Sequence, residues 1–140
     1  MRVLKALLLA LFVAAPPALA PVPAAAQVTE IDAQMAVSAV NGAGNRAAKV
    51  RQIKKVPSVG VIRLDMWMSP TFSNSSIPDA ADFRILAQRN ASGVKRLQQA
   101  LQANPVTREA LAKRGISPRQ VAGVQVSSNG SLRLYIFRRP

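Results

Sequence analysis

Two apolar runs near the C-terminal end, Val121 to Ser127 and Leu132 to Phe137, are separated by Ser128-Asn129-Gly130-Ser131. Asn-Gly between apolar runs is the strongest short-range signal for a β-hairpin. The tightest hairpin turn needs positive φ at both central positions, and these two residues tolerate it. The spacing therefore predicts antiparallel strands joined by a two-residue turn at Asn129-Gly130. A lone hairpin is marginal in water and needs another strand or a helix against it. The best further strand is Val56 to Met68, rich in β-branched and bulky types. With a period of two, Ile62, Leu64, Met66 and Met68 share one face, and Arg63, Asp65 and Trp67 share the other. Trp67 then caps the open side of the sheet.

Helical signals fill the middle of the chain. Pro78-Asp79-Ala80-Ala81-Asp82 opens a helix, with acids complementing the dipole and Ser76 or Asp79 as cap. Phe83, Leu86, Val94, Leu97 and Leu101 then fall on one stripe at about 100° per residue. Asn90 interrupts that stripe beside Ser92-Gly93, so the helix kinks there or is two helices. Asn104-Pro105 closes it and opens another, which Gly115-Ile116 ends in a Schellman pattern. Ser117-Pro118-Arg119-Gln120 has the form of a capping box over one short turn. Asn45 to Lys55 reads as a short helix with Ala47, Val50 and Ile53 on its apolar side, whereas residues 27–44 read as flexible or weakly helical. The resulting expectation is an α+β fold in a single domain over residues 45–140. One long strand and the C-terminal hairpin form a small antiparallel sheet, packed on one face against two or three helices. The segment Val121 to Phe137 resembles the end of a bacterial BON domain, where a helix leads into a short strand, an Asn-Gly type turn and a Leu-rich strand. The helical stretch from Val106 to Gln120 departs from that pattern.

The other end of the chain reads as a leader. Arg2 and Lys5 precede ten uninterrupted apolar residues, Ala6 to Ala15, and then small residues and prolines that end in Ala24-Ala25-Ala26. Charged, apolar, then small is the order of a secretory signal peptide. The apolar run is half the roughly 20 residues a spanning helix needs, and Pro16-Pro17 close it. Cleavage after Ala26 avoids placing Pro21 next to the cut, as cleavage after Ala20 would. The mature protein is then expected in the periplasm or outside the cell, with no transmembrane segment.

Removal of the first 26 of 140 residues leaves 114, enough for one modest core. It also takes the formal charge from +13 to about +11. Such an excess favours solubility and attraction to anions. The chain has no cysteine and no histidine. Disulfides, thiolate chemistry and cysteine-linked lipid are therefore excluded, and the commonest general base and metal ligand are missing.

Little remains for catalysis. The carboxylates outside the leader are Glu30, Asp32, Asp65, Asp79, Asp82 and Glu109. Asp79 and Asp82 are explained by capping, Asp65 by its basic neighbours, and no acids show hard-metal spacing. Ser92 and Lys95 have a Ser-x-x-Lys spacing, but no Ser-Asp-Asn or Lys-Thr-Gly follows. Neither a phosphate-binding loop nor a dinucleotide fingerprint is present. No catalytic, metal or cofactor residue is assigned.

The excess of cations is the one anomaly. It falls in Arg46 to Lys55, Arg84 to Arg96 and Arg108 to Arg119, with Arg138-Arg139 at the end. The long helix would display Arg84, Gln88, Lys95 and Gln99 opposite its apolar stripe, with Arg89 and Arg96 at the edge. Arg84, Arg89, Lys95 and Arg96 are the candidate anion-binding residues. The expected function is a non-enzymatic binding or accessory protein for an anionic envelope component: lipid headgroups, lipopolysaccharide or acidic glycan. A small carboxylate-dependent enzyme of the envelope is the alternative. Nucleic acid is disfavoured, because 4% aromatic residues give few stacking platforms.

Overall fold

The computed structural model describes residues 30–67 and 78–138. Residues 1–29, where the signal peptide is expected, and Met68, Ser76 and Arg139 lie outside the described residues. The elements in order are α1 (Glu30–Asn41), α2 (Ala43–Gln52), β1 (Val59–Arg63), α3 (Ala80–Arg89), α4 (Ala91–Ala103), α5 (Pro105–Lys113), β2 (Val121–Val126) and β3 (Leu132–Ile136). Single 3₁₀ turns occupy Leu64–Met66 and Pro118–Gln120. The class is α+β, with a small sheet packed against helices.

The sheet has the order β1-β3-β2. β2 and β3 pair antiparallel, as a hairpin must, but β1 pairs with β3 in parallel, with Val61 opposite Leu134. The expected wholly antiparallel sheet is therefore a mixed one. Three helices and β2 lie between β1 and β3, so the chain has length enough to return and lay β3 alongside β1 in the same direction. β1 is also shorter than its apolar run. The 3₁₀ turn at Leu64–Met66 ends the period-two alternation, burying Leu64 and leaving Met66 63% exposed.

The hairpin turn differs in detail. Gly130 N–H bonds the Ser127 carbonyl (3.0 Å), and Ser127 N–H bonds the Ser131 carbonyl (2.9 Å). Gly130 has φ +89°, and among the described residues none other than glycine has positive φ. This is a three-residue loop closed by a left-handed glycine, not a two-residue turn with Asn129 also left-handed. Asn129 instead uses its side chain, whose Oδ1 accepts from Ser131 N–H (3.0 Å).

Alternation along β3 sends Leu132, Leu134 and Ile136 to one face and Arg133 and Tyr135 to the other. The first face packs on Ala47 and Val50 of α2, Val94, Leu97 and Leu101 of α4, and Leu111 of α5. On the second face, Tyr135 and Ile62 join Ala36, Ala39 and Val40 of α1, with Trp67 and Phe83. Helices thus cover both faces, where one was expected. Glu30–Asn41, in the stretch read as flexible or weakly helical, is a helix built on small residues. It lies so close to β2 that a Cβ on Gly123 would be 2.8 Å from the Ala39 carbonyl carbon. Trp67 is inside this second layer, edge-on to Phe83 at 5.3 Å between ring centres.

The capping signals are realised. Asp79 Oδ1 accepts from Asp82 N–H (2.9 Å), and Asp82 Oδ2 accepts from Asp79 N–H (3.1 Å). The apolar stripe is carried by two helices that break at Asn90. Asn90 Nδ2 donates to the Leu86 carbonyl (3.0 Å) and to Asn41 Oδ1 (2.9 Å), which ties the break to the end of α1. α5 ends in a full Schellman motif: Gly115, at φ +66°, bonds the Ala112 carbonyl and Ile116 bonds that of Leu111.

A candidate anion-binding groove

α2 carries Lys49 and Arg51 in its last turn, where cations complement the negative end of the helix dipole. Beyond it the chain leaves extended through Ile53, Lys54 and Lys55. Asn104, buried between α4 and α5, holds this exit from behind. Its Nδ2 donates to the carbonyls of Val50 (2.8 Å) and Ile53 (2.9 Å), while its Oδ1 caps α5 through Val106 N–H (3.0 Å). The exposed rim of the exit faces the hairpin turn. Gly130 has no side chain, and a Cβ there would run into the Lys55 carbonyl oxygen. Ser58 Oγ and Ser131 Oγ, 3.0 Å apart, stitch the two segments a little further along.

Between them lies an open groove of about 630 Å³. Lys49, Gln52, Lys54 and Lys55 form one wall, and Ser127, Ser128 and Asn129 form the other. Three lysines line it and no carboxylate does. A second hollow of about 540 Å³ adjoins it through Lys49 and contains Arg46. Arg46 is held by its Nη1 bond to the Ser38 carbonyl (2.7 Å). Arg46, Lys49, Lys54 and Lys55 therefore form a cationic strip along one side of the molecule. Hydroxyl and amide groups opposite the ammonium groups supply the mixture an oxyanion is held by.

The four cations read from the sequence stand elsewhere. Arg84 and Arg89 are exposed on α3; Lys95 and Arg96 are exposed on α4. The break at Asn90 places the two pairs on separate helices. Arg84 is also engaged within the molecule, its guanidinium carbon 5.5 Å from the centre of the Phe137 ring. Arg96 reaches to the crossing of α2 and α4, within 3.6 Å of where a Cβ on Gly44 would sit.

The carboxylates are mostly occupied structurally. Asp79 and Asp82 cap each other across the start of α3. Asp65 takes an ion pair from Arg63 at 2.5 Å and the Arg138 amide at 3.3 Å. Arg63 holds the Asp65 carboxyl below its ordinary range, against the opposing effect of burial. Glu109 pairs with Lys113 one turn on, at 3.1 Å. Among the described residues no three acids gather as a metal site would require. Among the described residues the Tyr135 hydroxyl and Trp67 Nε1 find no partner in hydrogen-bonding geometry, and burial pushes the Tyr135 hydroxyl pKa up.

The sequence marked Arg46 to Lys55 as one of several basic groups and gave no reason to prefer it. What distinguishes it is the approach of residues 127–130, a contact between parts of the chain far apart in sequence. Comparison with protein-family models, curated proteins and solved structures finds no match. The likeness of Val121 to Phe137 to the end of a BON domain therefore rests on the hairpin alone.

Proposed function

We propose that this is an exported, non-enzymatic protein that binds clustered anionic groups of the cell envelope in the groove between the end of α2 and the hairpin turn. Lys49, Lys54 and Lys55 supply the charge; Ser127, Ser128 and Asn129 supply neutral hydrogen-bonding groups. The observation that carries this reading is a groove lined by three lysines and no acid, in a chain with a formal charge of +13. The shared chemistry of the ligand is a multiply charged oxyanion surface, such as phosphate headgroups, lipopolysaccharide phosphates or carboxylated glycan. Each cation near an anionic surface contributes roughly 1 kcal/mol, fading over a Debye length of about 8 Å at physiological salt.

The test is co-sedimentation with phosphatidylglycerol-containing vesicles of graded anionic content across a salt series. Parallel arms use purified lipopolysaccharide and alginate, which separates the sources of negative charge. Binding should fall with salt and fall further in Lys54→Glu/Lys55→Glu than in Arg84→Glu/Lys95→Glu. Equal losses in the two pairs would remove the groove as the site. Salt-independent binding, or none in any arm, would remove the proposal. Export is tested separately, by the mass of the protein recovered outside the cytoplasm, which should begin at Gln27.

A further inference from the structure

β1 is an edge strand, and the way it is paired dictates what its free edge offers. The Ser58 carbonyl accepts from Leu132 N–H at 3.0 Å. In a parallel ladder successive residues turn their backbone groups to opposite sides. Ser58, Gly60 and Ile62 therefore bond β3, Val59 and Val61 turn their N–H and C=O groups outward, and Arg63 turns its N–H outward while its carbonyl starts the 3₁₀ turn. Among the described residues no other strand pairs with that side. The same three residues project their side chains toward the face on which α5 lies. α5 does not close over them. Two hollows of about 310 and 320 Å³ follow one another between β1 and α5 and meet at Arg114. Val59 and Val61 line the floor, and Val61 is 39% exposed. One hollow has Glu109 already paired with Lys113; the other has Arg114 and Arg138, both exposed, with no acid in its lining.

We infer that this trough takes an extended acidic peptide segment, which adds to β1 as a fourth strand. Unpaired backbone groups on an edge strand are the template for such addition, and neighbouring side-chain pockets give it specificity. Charge chooses the occupant. A second copy of this chain would bring its own +13 formal charge against Arg114 and Arg138, whereas an acidic segment is drawn to them. An apolar residue of the segment sits over Val59 and Val61, and a carboxylate reaches the Arg114–Arg138 end. This site is separate from the lysine groove and does not depend on it.

The test uses ¹⁵N-labelled full-length mature protein and two short synthetic peptides, one alternating valine with glutamate and one alternating valine with lysine. The glutamate peptide should shift the amide resonances of Val59, Val61 and Arg63 and slow their hydrogen exchange; the lysine peptide should not. Val61→Pro removes one outward N–H, a position where an edge strand tolerates proline. It should weaken binding about threefold to tenfold, as loss of one hydrogen bond does. Arg114→Glu should weaken it comparably. Lys54→Glu/Lys55→Glu should leave the β1 shifts in place. Shifts confined to the lysine groove, equal response to both peptides, or protection of Gly60 and Ile62 in place of Val59 and Val61 would overturn the inference. If Val61→Pro does not melt cooperatively, the exchange pattern in the unaltered protein and Arg114→Glu decide it.

Discussion

Gly44 of α2 and Gly93 of α4 meet backbone to backbone: a Cβ placed on either would stand 3.2 Å from a backbone atom of the other. The two helices can approach this closely because neither has a side chain at the crossing. Valine at either position should cost about 1–3 kcal/mol by overpacking. The two losses should not add, because the first substitution parts the helices that the second would crowd. Chemical denaturation of the two single variants and the double variant measures this directly.

Gly115 and Gly130 both have positive φ, yet they should respond differently. A Cβ on Gly115 meets nothing within 4 Å, so Gly115→Ala should lose only the cost of the left-handed backbone, about 1 kcal/mol. At Gly130 the side chain also meets the Lys55 carbonyl. Gly130→Val should cost more, about 2–4 kcal/mol, and should weaken anion binding by pushing the turn off the lysine segment. Thermal melts and the vesicle assay report the two effects.

Asn104→Ala should be among the more damaging single changes. It removes the side-chain donor of the Ile53 carbonyl, leaves the Val50 carbonyl with the Ile53 N–H alone (3.2 Å), and removes the cap of α5. An expected loss of about 2–4 kcal/mol follows from the cost of a lost buried hydrogen-bond donor and of a missing cap. Urea unfolding at neutral pH measures it.

Asp65 gives a pH dependence of known sign. Hydrogen bonds from Arg63 lower its pKa in the folded protein below the ordinary 3.8, with the Arg138 amide adding to the effect. Its contribution is therefore complete above the ordinary value and is lost as pH falls through the lower folded value. Asp65→Asn should melt below the unaltered protein at neutral pH, and the two should converge once the solution is acidified below the lowered folded value. A gap that persists at low pH would mean that the carboxylate charge is not what stabilises this pair.

Much of the fold was legible from local chemistry, and the exceptions share a cause. The Asp79–Asp82 box, the Asn104-Pro105 junction, the Gly115-Ile116 ending and the break at Asn90 are all written within a few residues of where they act. The hairpin was equally local, although Asn129 satisfied the turn with its side chain instead of a left-handed backbone. Direction and depth were not local. Nothing near Val59 states that Leu132 will lie beside it in parallel. The alanines of α1 gave no periodic signal strong enough to predict a helix seated on Gly123. The lysine groove was hidden in the same way. Its lysines are ordinary in sequence and become a site only when residues 127–130 arrive opposite them.

The strand order has a consequence for how the chain comes to be folded at all. β1 and β2 do not touch; each pairs only with β3, the last element of the described chain. A polypeptide delivered N-terminus first, from a ribosome or through a translocation pore, has no partner for either strand until Leu132 to Ile136 emerges. Helices can form in the meantime, and α2 can meet α4 at Gly44 and Gly93, but the sheet they cover does not yet exist. The chain therefore stays threadable for almost its whole length and then closes in one late event. Clipping off that final strand would not trim the sheet but abolish it.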